Sequence, residues 1–150
     1  AITAESITAG TTNLLLKGSG AGTVLKPASL ILYVIEGATN VTTGDGKFYF
    51  TIPLELNGMD LFSVHAKVVT AGTTGTTDVQ IHNVTDAVHM LSTKLTIDSG
   101  ETGSDTAVAP AVINGSNDSV ATNDLLRIDI DAVSSTPPQG LIVRLEFRLP

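Results

Sequence analysis

From Leu125 to Leu149 apolar and polar side chains alternate so regularly that extended β-strands are the conformation that uses the pattern. In Leu125–Ala132, Leu126, Ile128 and Ile130 share one face and Arg127, Asp129 and Asp131 the other. In residues 141–149, Leu141, Val143, Leu145, Phe147 and Leu149 face one way, and Arg144, Glu146 and Arg148 the other. A Ser-Ser-Thr-Pro-Pro-Gln-Gly segment joins them. The charges also select a pairing. With Ile130 opposite Val143, Arg127 meets Glu146 and Asp129 meets Arg144, whereas a slip of two residues sets arginine against arginine. The expectation is an antiparallel terminal hairpin with earlier strands packed on its apolar side.

The rest of the chain carries weaker versions of the same period. Residues 30–36 read as a strand. Residues 41–43, then Gly44-Asp45-Gly46, then residues 47–54 read as strand, turn and strand, with Pro53 ending the last. Residues 61–70 place Phe62, Val64, Ala66 and Val68 inward against Ser63, His65 and Lys67. Residues 78–84 place Val79 and Ile81 inward against Gln80 and His82. Asp86-Ala87 is a turn, and residues 89–97 follow with Leu91, Leu95 and Ile97 inward. Residues 98–124 are dominated by small polar residues, with Val108 and residues 111–113 as short strand candidates. No apolar 3.6-residue period runs over three turns. Seven to nine short strands at roughly ten-residue spacing point to an all-β sandwich, jelly roll or small barrel.

The 150 residues suffice for one domain with its own core. Charged residues make up only 15% of the chain and aromatics 4%, and the mean hydropathy is positive. So little surface charge points to a chain that buries outer surface in an assembly. The net charge is −7, with eight scattered lysines and arginines. This argues against nucleic acid, which needs clustered cations. There are no cysteines, so no disulfide, thiolate metal site or thiol nucleophile exists. The longest apolar run, residues 30–35, is too short to span a membrane as a helix, and no signal-peptide pattern is visible. Residues 1–29 divide from residues 30–150 as a Thr-, Gly-, Ala- and Ser-rich stretch with apolar patches at Ile7, Leu14, Leu15, Leu16, Val24 and Leu25. These patches read as an extended arm that docks on a neighbouring subunit, and those six residues are the expected interaction site.

Candidates for chemistry are sparse. His65 and His82, outward on consecutive strands, could sit near each other, but two histidines without a placed carboxylate make a poor metal site. Asp129 and Asp131 read as a salt-bridged strand face. The segments 98–101 and 114–118 supply oxygen ligands without the spacing of a defined calcium loop. Residues 18–22 are glycine-rich but lack the Lys-Ser/Thr and helix of a phosphate loop. The Asn-x-Ser/Thr triplets at Asn40, Asn83, Asn114 and Asn117 are expected by chance in so Thr-rich a chain. No nucleophile elbow or zinc-protease motif occurs. Tryptophan is absent and Tyr33 and Tyr49 lie in apolar strands, so stacking of sugar on aromatic platforms is not expected. No catalytic residue, metal or cofactor is nominated, and the chain reads as a non-enzyme.

The runs Asp-Gly-Lys-Phe-Tyr-Phe-Thr-Ile-Pro at 45–53, Asn-Gly-Met at 57–59 and Ser-Val-His-Ala at 63–66 resemble a structural domain recurrent in virion proteins of tailed bacteriophages. So do residues 73–85, 91–101 and 123–129. The resemblance covers about residues 44–149 and carries no catalytic residues. It implies an antiparallel β-sandwich of jelly-roll type, commonly trimeric, found on capsid decoration proteins, head fibres and tail-fibre tips. The expected role is a decoration or cement protein on the capsid surface, with the major capsid protein and further copies of itself as partners. The alternatives are a fibre-tip module, with loops 71–77 and 99–123 on host glycan, another tail component, and a polysaccharide hydrolase, which would need carboxylates about 5–9.5 Å apart.

Overall fold

A computed structural model describes residues 27–150. The six apolar arm residues Ile7, Leu14, Leu15, Leu16, Val24 and Leu25 lie outside them. The described chain is all-β, with eleven strands: β1 (Ala28–Asn40), β2 (Gly44–Thr51), β3 (Met59–Lys67), β4 (Thr77–Asn83), β5 (Val88–His89), β6 (Leu91–Thr93), β7 (Leu95–Ile97), β8 (Val112–Ile113), β9 (Ser119–Val120), β10 (Leu125–Ala132) and β11 (Gln139–Arg148). One antiparallel sheet has the order β1-β11-β3-β9. The other has the order β2-β10-β4-β5, with β7 also on β4, and β6 and β8 form a separate pair. The first strand starts at Ala28, two residues ahead of the expected position, with Ala28 opposite Phe147.

The alternation assigns the faces correctly. Leu126, Ile128 and Ile130 of β10, and Leu141, Val143, Leu145 and Phe147 of β11, are almost fully buried in one core shared with Val79, Ile81, Leu32 and Val34. The pairing differs from expectation: β10 and β11 do not form a hairpin. Ile130 stands opposite Gly44 and Val79, and Val143 opposite Leu32 and Ala66. Each strand is central in its own sheet, and the 133–138 segment carries the chain from one sheet to the other. The charges thought to fix a hairpin are satisfied within each strand, where residues i and i+2 share a face. Arg127 Nε lies 2.9 Å from Asp129 Oδ1, and Arg144 Nε lies 3.3 Å from Glu146 Oε1.

The Asp-Gly segment also departs from expectation. Residues 41–43 are not a strand paired with β2; they cross between sheets, Val41 fully buried with its N–H donating to the Pro138 carbonyl at 2.9 Å. Asp45-Gly46 lies inside β2 as a bulge. The register moves four residues on β2, from Phe48 to Gly44, while β10 moves two, from Ile128 to Ile130. Gly46 has φ +64°, a conformation that costs glycine nothing.

A second bulge explains a misassigned face. Along β3, Ser63 stands opposite Glu146 and Leu61 opposite Phe147, which leaves Phe62 as the extra residue. The phase inverts there, so Leu61 fills the core with Val64 and Ala66, and Phe62 turns outward under the Arg148 guanidinium, 5.3 Å from its ring centroid. The expected single strand over 89–97 is three short ones, because adjacent Met90 and Leu91 are both buried and break the alternation. Residues 98–124 hold two short strands, β8 and β9, while Val108 is 91% exposed.

Candidate functional site

The outer face of the sheet β2-β10-β4-β5 carries the densest polar grouping among the described residues. Register places Tyr49, Arg127, His82 and His89 side by side, one from each of four adjacent strands. Behind this row lies an open cavity of about 570 Å³ lined by Asp45, Gln80, His82, His89, Lys94, Arg127, Asp129 and Asp131.

Asp129 anchors the grouping. It is 2% exposed and accepts a hydrogen bond from the Gly46 N–H at 2.6 Å, so the bulge of β2 and the carboxylate of β10 hold one another. Arg127 Nε bonds both Asp129 oxygens, and its Nη2 reaches Asp45 Oδ2 at 3.1 Å. Lys94 pairs with Asp131 at 2.8 Å. Each of the three carboxylates is therefore bound to a cation. Asp129 and Asp131 do form the salt-bridged face expected of them, although with Arg127 and Lys94 instead of Arg144.

Gln80 is outward, as its position predicts, yet only 5% exposed. Its Nε2 donates to the Leu91 carbonyl and its Oε1 accepts the Leu91 N–H, both at 3.2 Å. The side-chain amide thereby supplies the ladder bonds missing where the chain leaves β5 for β6.

The histidines are arranged differently from expectation. His65 lies on the other sheet, with Ser63 Oγ at 3.0 Å and Asp105 at 3.2 Å, so it is not the neighbour of His82. The neighbour is His89. The two stand opposite each other on β4 and β5, with Nδ1 atoms 3.3 Å apart and rings edge to face. This was readable from the sequence. A turn at Asp86-Ala87 between strands pairs Asn83 with Val88 and so His82 with His89.

Burial pushes the His82 pKa below its ordinary 6.5, assisted by Arg127 and then His89, against the opposing pull of Asp129 and Asp45. The unfolded chain, with its higher pKa, binds the proton more readily than the folded one. The stability from keeping His82 neutral is therefore complete above about 6.5 and is lost as pH falls through the lowered value. Thermal unfolding should occur at lower temperature near pH 5.5 than near pH 7.5, and His82→Gln should flatten that part of the profile. A wild-type midpoint that holds steady or rises over this interval would contradict it. Asp105 does not interfere, because its hydrogen bond from Lys67 lowers it from 3.8, outside the interval.

In segments 98–101 and 114–118, side-chain oxygens accept backbone hydrogen bonds. Asp98 Oδ2 accepts the Val108 N–H at 2.8 Å and Asn114 Oδ1 the Ser116 N–H at 3.2 Å, and no group of three or more His, Cys, Asp or Glu is placed to hold a metal among the described residues. The tyrosines do not sit inside. Tyr33 is 72% and Tyr49 53% exposed, because each occupies the outward phase of a strand whose inward phase is apolar too. Ile31 and Val69 add further exposed apolar surface, Ile31 with Tyr33 on the outer face of edge strand β1. No protein-family model, curated protein or solved structure matches this chain.

Proposed function

We propose that the chain is a bacteriophage virion structural protein of jelly-roll type that decorates the outer capsid surface as a homotrimer and performs no catalysis. The observation that carries this reading is edge strand β1. It is thirteen residues long, unpaired along one side among the described residues, and presents Ile31 and Tyr33 to solvent. An exposed apolar edge in a chain with few charges is a surface awaiting a partner. The jelly-roll assignment is supported by the chain crossing between sheets at β1–β2, β2–β3, β3–β4, β9–β10 and β10–β11, as two interlocked Greek keys require. A non-enzymatic role is supported by the ion pairs that engage all three carboxylates of the outer cavity, leaving none of them free as acid or base.

A fibre-tip module that binds host glycan is the second reading. It is favoured by exposed Tyr49 beside Arg127, since an aromatic face flanked by hydrogen-bonding groups suits a sugar ring.

Solution mass tests the assembly. Light scattering of the full chain and of residues 27–150 should give three times the monomer mass in both cases, the monomer being 15.5 kDa for the full chain. Every described strand lies within 27–150, so the shorter chain retains the described core. A monomer in both cases would contradict the trimer.

A further inference from the structure

We propose that His82 and His89 form a two-histidine chelate for a zinc ion on the outer face of β4 and β5. Directly opposed cross-strand residues project side by side from one face, with Cβ atoms about 4.5–5.5 Å apart. Here the two imidazoles turn the same nitrogen, Nδ1, toward each other at 3.3 Å. Two nitrogens on tetrahedral zinc, each about 2.0–2.1 Å from the ion, lie about 3.3–3.4 Å apart. Cis positions of a square-planar ion would bring them to about 2.8–3.0 Å. The observed spacing is therefore already the tetrahedral one.

The charge around the pair permits a cation. Arg127, opposite His82 in the row, would repel a bound cation, but it is paired with both Asp129 and Asp45. Lys94 is paired with Asp131. Across the cavity, two cations face three carboxylates.

Chemical bookkeeping at the pair is simple. In the Nδ1···Nδ1 hydrogen bond one ring carries the proton on Nδ1 and the other offers a lone pair. Capture of zinc requires both lone pairs, so the first ring moves its proton to Nε2 through solvent, with no net release. No third histidine, cysteine or carboxylate joins the pair among the described residues, so water fills two coordination positions. The site is open and exchangeable, unlike a closed structural zinc.

The test is calorimetric titration of the full chain with zinc chloride at neutral pH, with histidine ring resonances followed by NMR. One saturable site per chain is expected, with His82 and His89 resonances shifting and those of His65 unmoved. His89→Ala alters an exposed residue and should abolish the saturable binding, while His65→Ala should leave it intact. Absence of saturable binding by the wild type, full retention in His89→Ala, or loss in His65→Ala would each overturn the assignment.

Discussion

Replacing Asp129 with alanine is expected to lower the unfolding free energy by about 2–4 kcal/mol, the largest loss from a single outer-face polar side chain. Removing one partner of a buried ion pair typically costs about 3–5 kcal/mol, because the other charge is left without compensation. The upper end is discounted here, since the Arg127 side chain is 22% exposed and keeps Asp45. One further group loses its partner. The Gly46 N–H, held at 2.6 Å, has its acceptor removed, and the bulge of β2 loses its tie to β10. Asp129→Asn keeps an oxygen for Gly46 and removes only the charge, so it should cost less, about 1–2 kcal/mol. Urea denaturation with an unchanged slope measures both. An alanine variant within about 0.5 kcal/mol of the wild type would show that the bulge is held by something else.

The same residues show how far the sequence carried the fold. Period-two alternation is a local property, and it identified the buried faces of β4, β10 and β11 through Val79, Ile81, Leu126, Ile128, Ile130, Leu141, Val143, Leu145 and Phe147. Pairing is a competition among all strands, and there the local argument failed. Arg127 and Arg144 each find a carboxylate two residues along their own strand, so attraction between the strands was not needed to satisfy them. With that constraint gone, the apolar faces of β10 and β11 are both buried by belonging to opposite sheets. The bulge at Phe62 was hidden for a related reason. Leu61, Phe62 and Val64 are all apolar, so the pattern does not mark where the phase inverts.

The site was legible in parts. The alternation of Asp129 and Asp131 on one strand face marks them as salt-bridged, and the turn at Asp86-Ala87 between two strands carries the information that sets His82 opposite His89. Gln80 was not legible, because its burial depends on Leu91 lying over it. Tyr33 and Tyr49 have apolar neighbours on both sides in the sequence, yet the alternation within each strand sets them on the outer face.

Deleting residues 1–26 is expected to abolish capsid attachment while leaving a folded domain. The argument is one of composition and placement. Leu14, Leu15 and Leu16 stand consecutively among Thr, Gly, Ala and Ser, a cluster that contributes free energy only when covered, at about 25 cal/mol per Å² of apolar surface. Among the described residues, both sheets are built from strands within 28–148. The segment precedes β1, the strand that carries exposed Ile31 and Tyr33. Attachment through several small interfaces is how a cement protein would strengthen a shell.

The most direct measurement is co-sedimentation of the purified chain with phage heads assembled without it. The full chain should pellet with the heads at saturating stoichiometry, and residues 27–150 should remain in the supernatant with an unchanged β-rich circular dichroism spectrum. A full chain that stays in the supernatant would contradict capsid decoration itself, and a shortened chain that pellets equally well would contradict the role given to its first 26 residues.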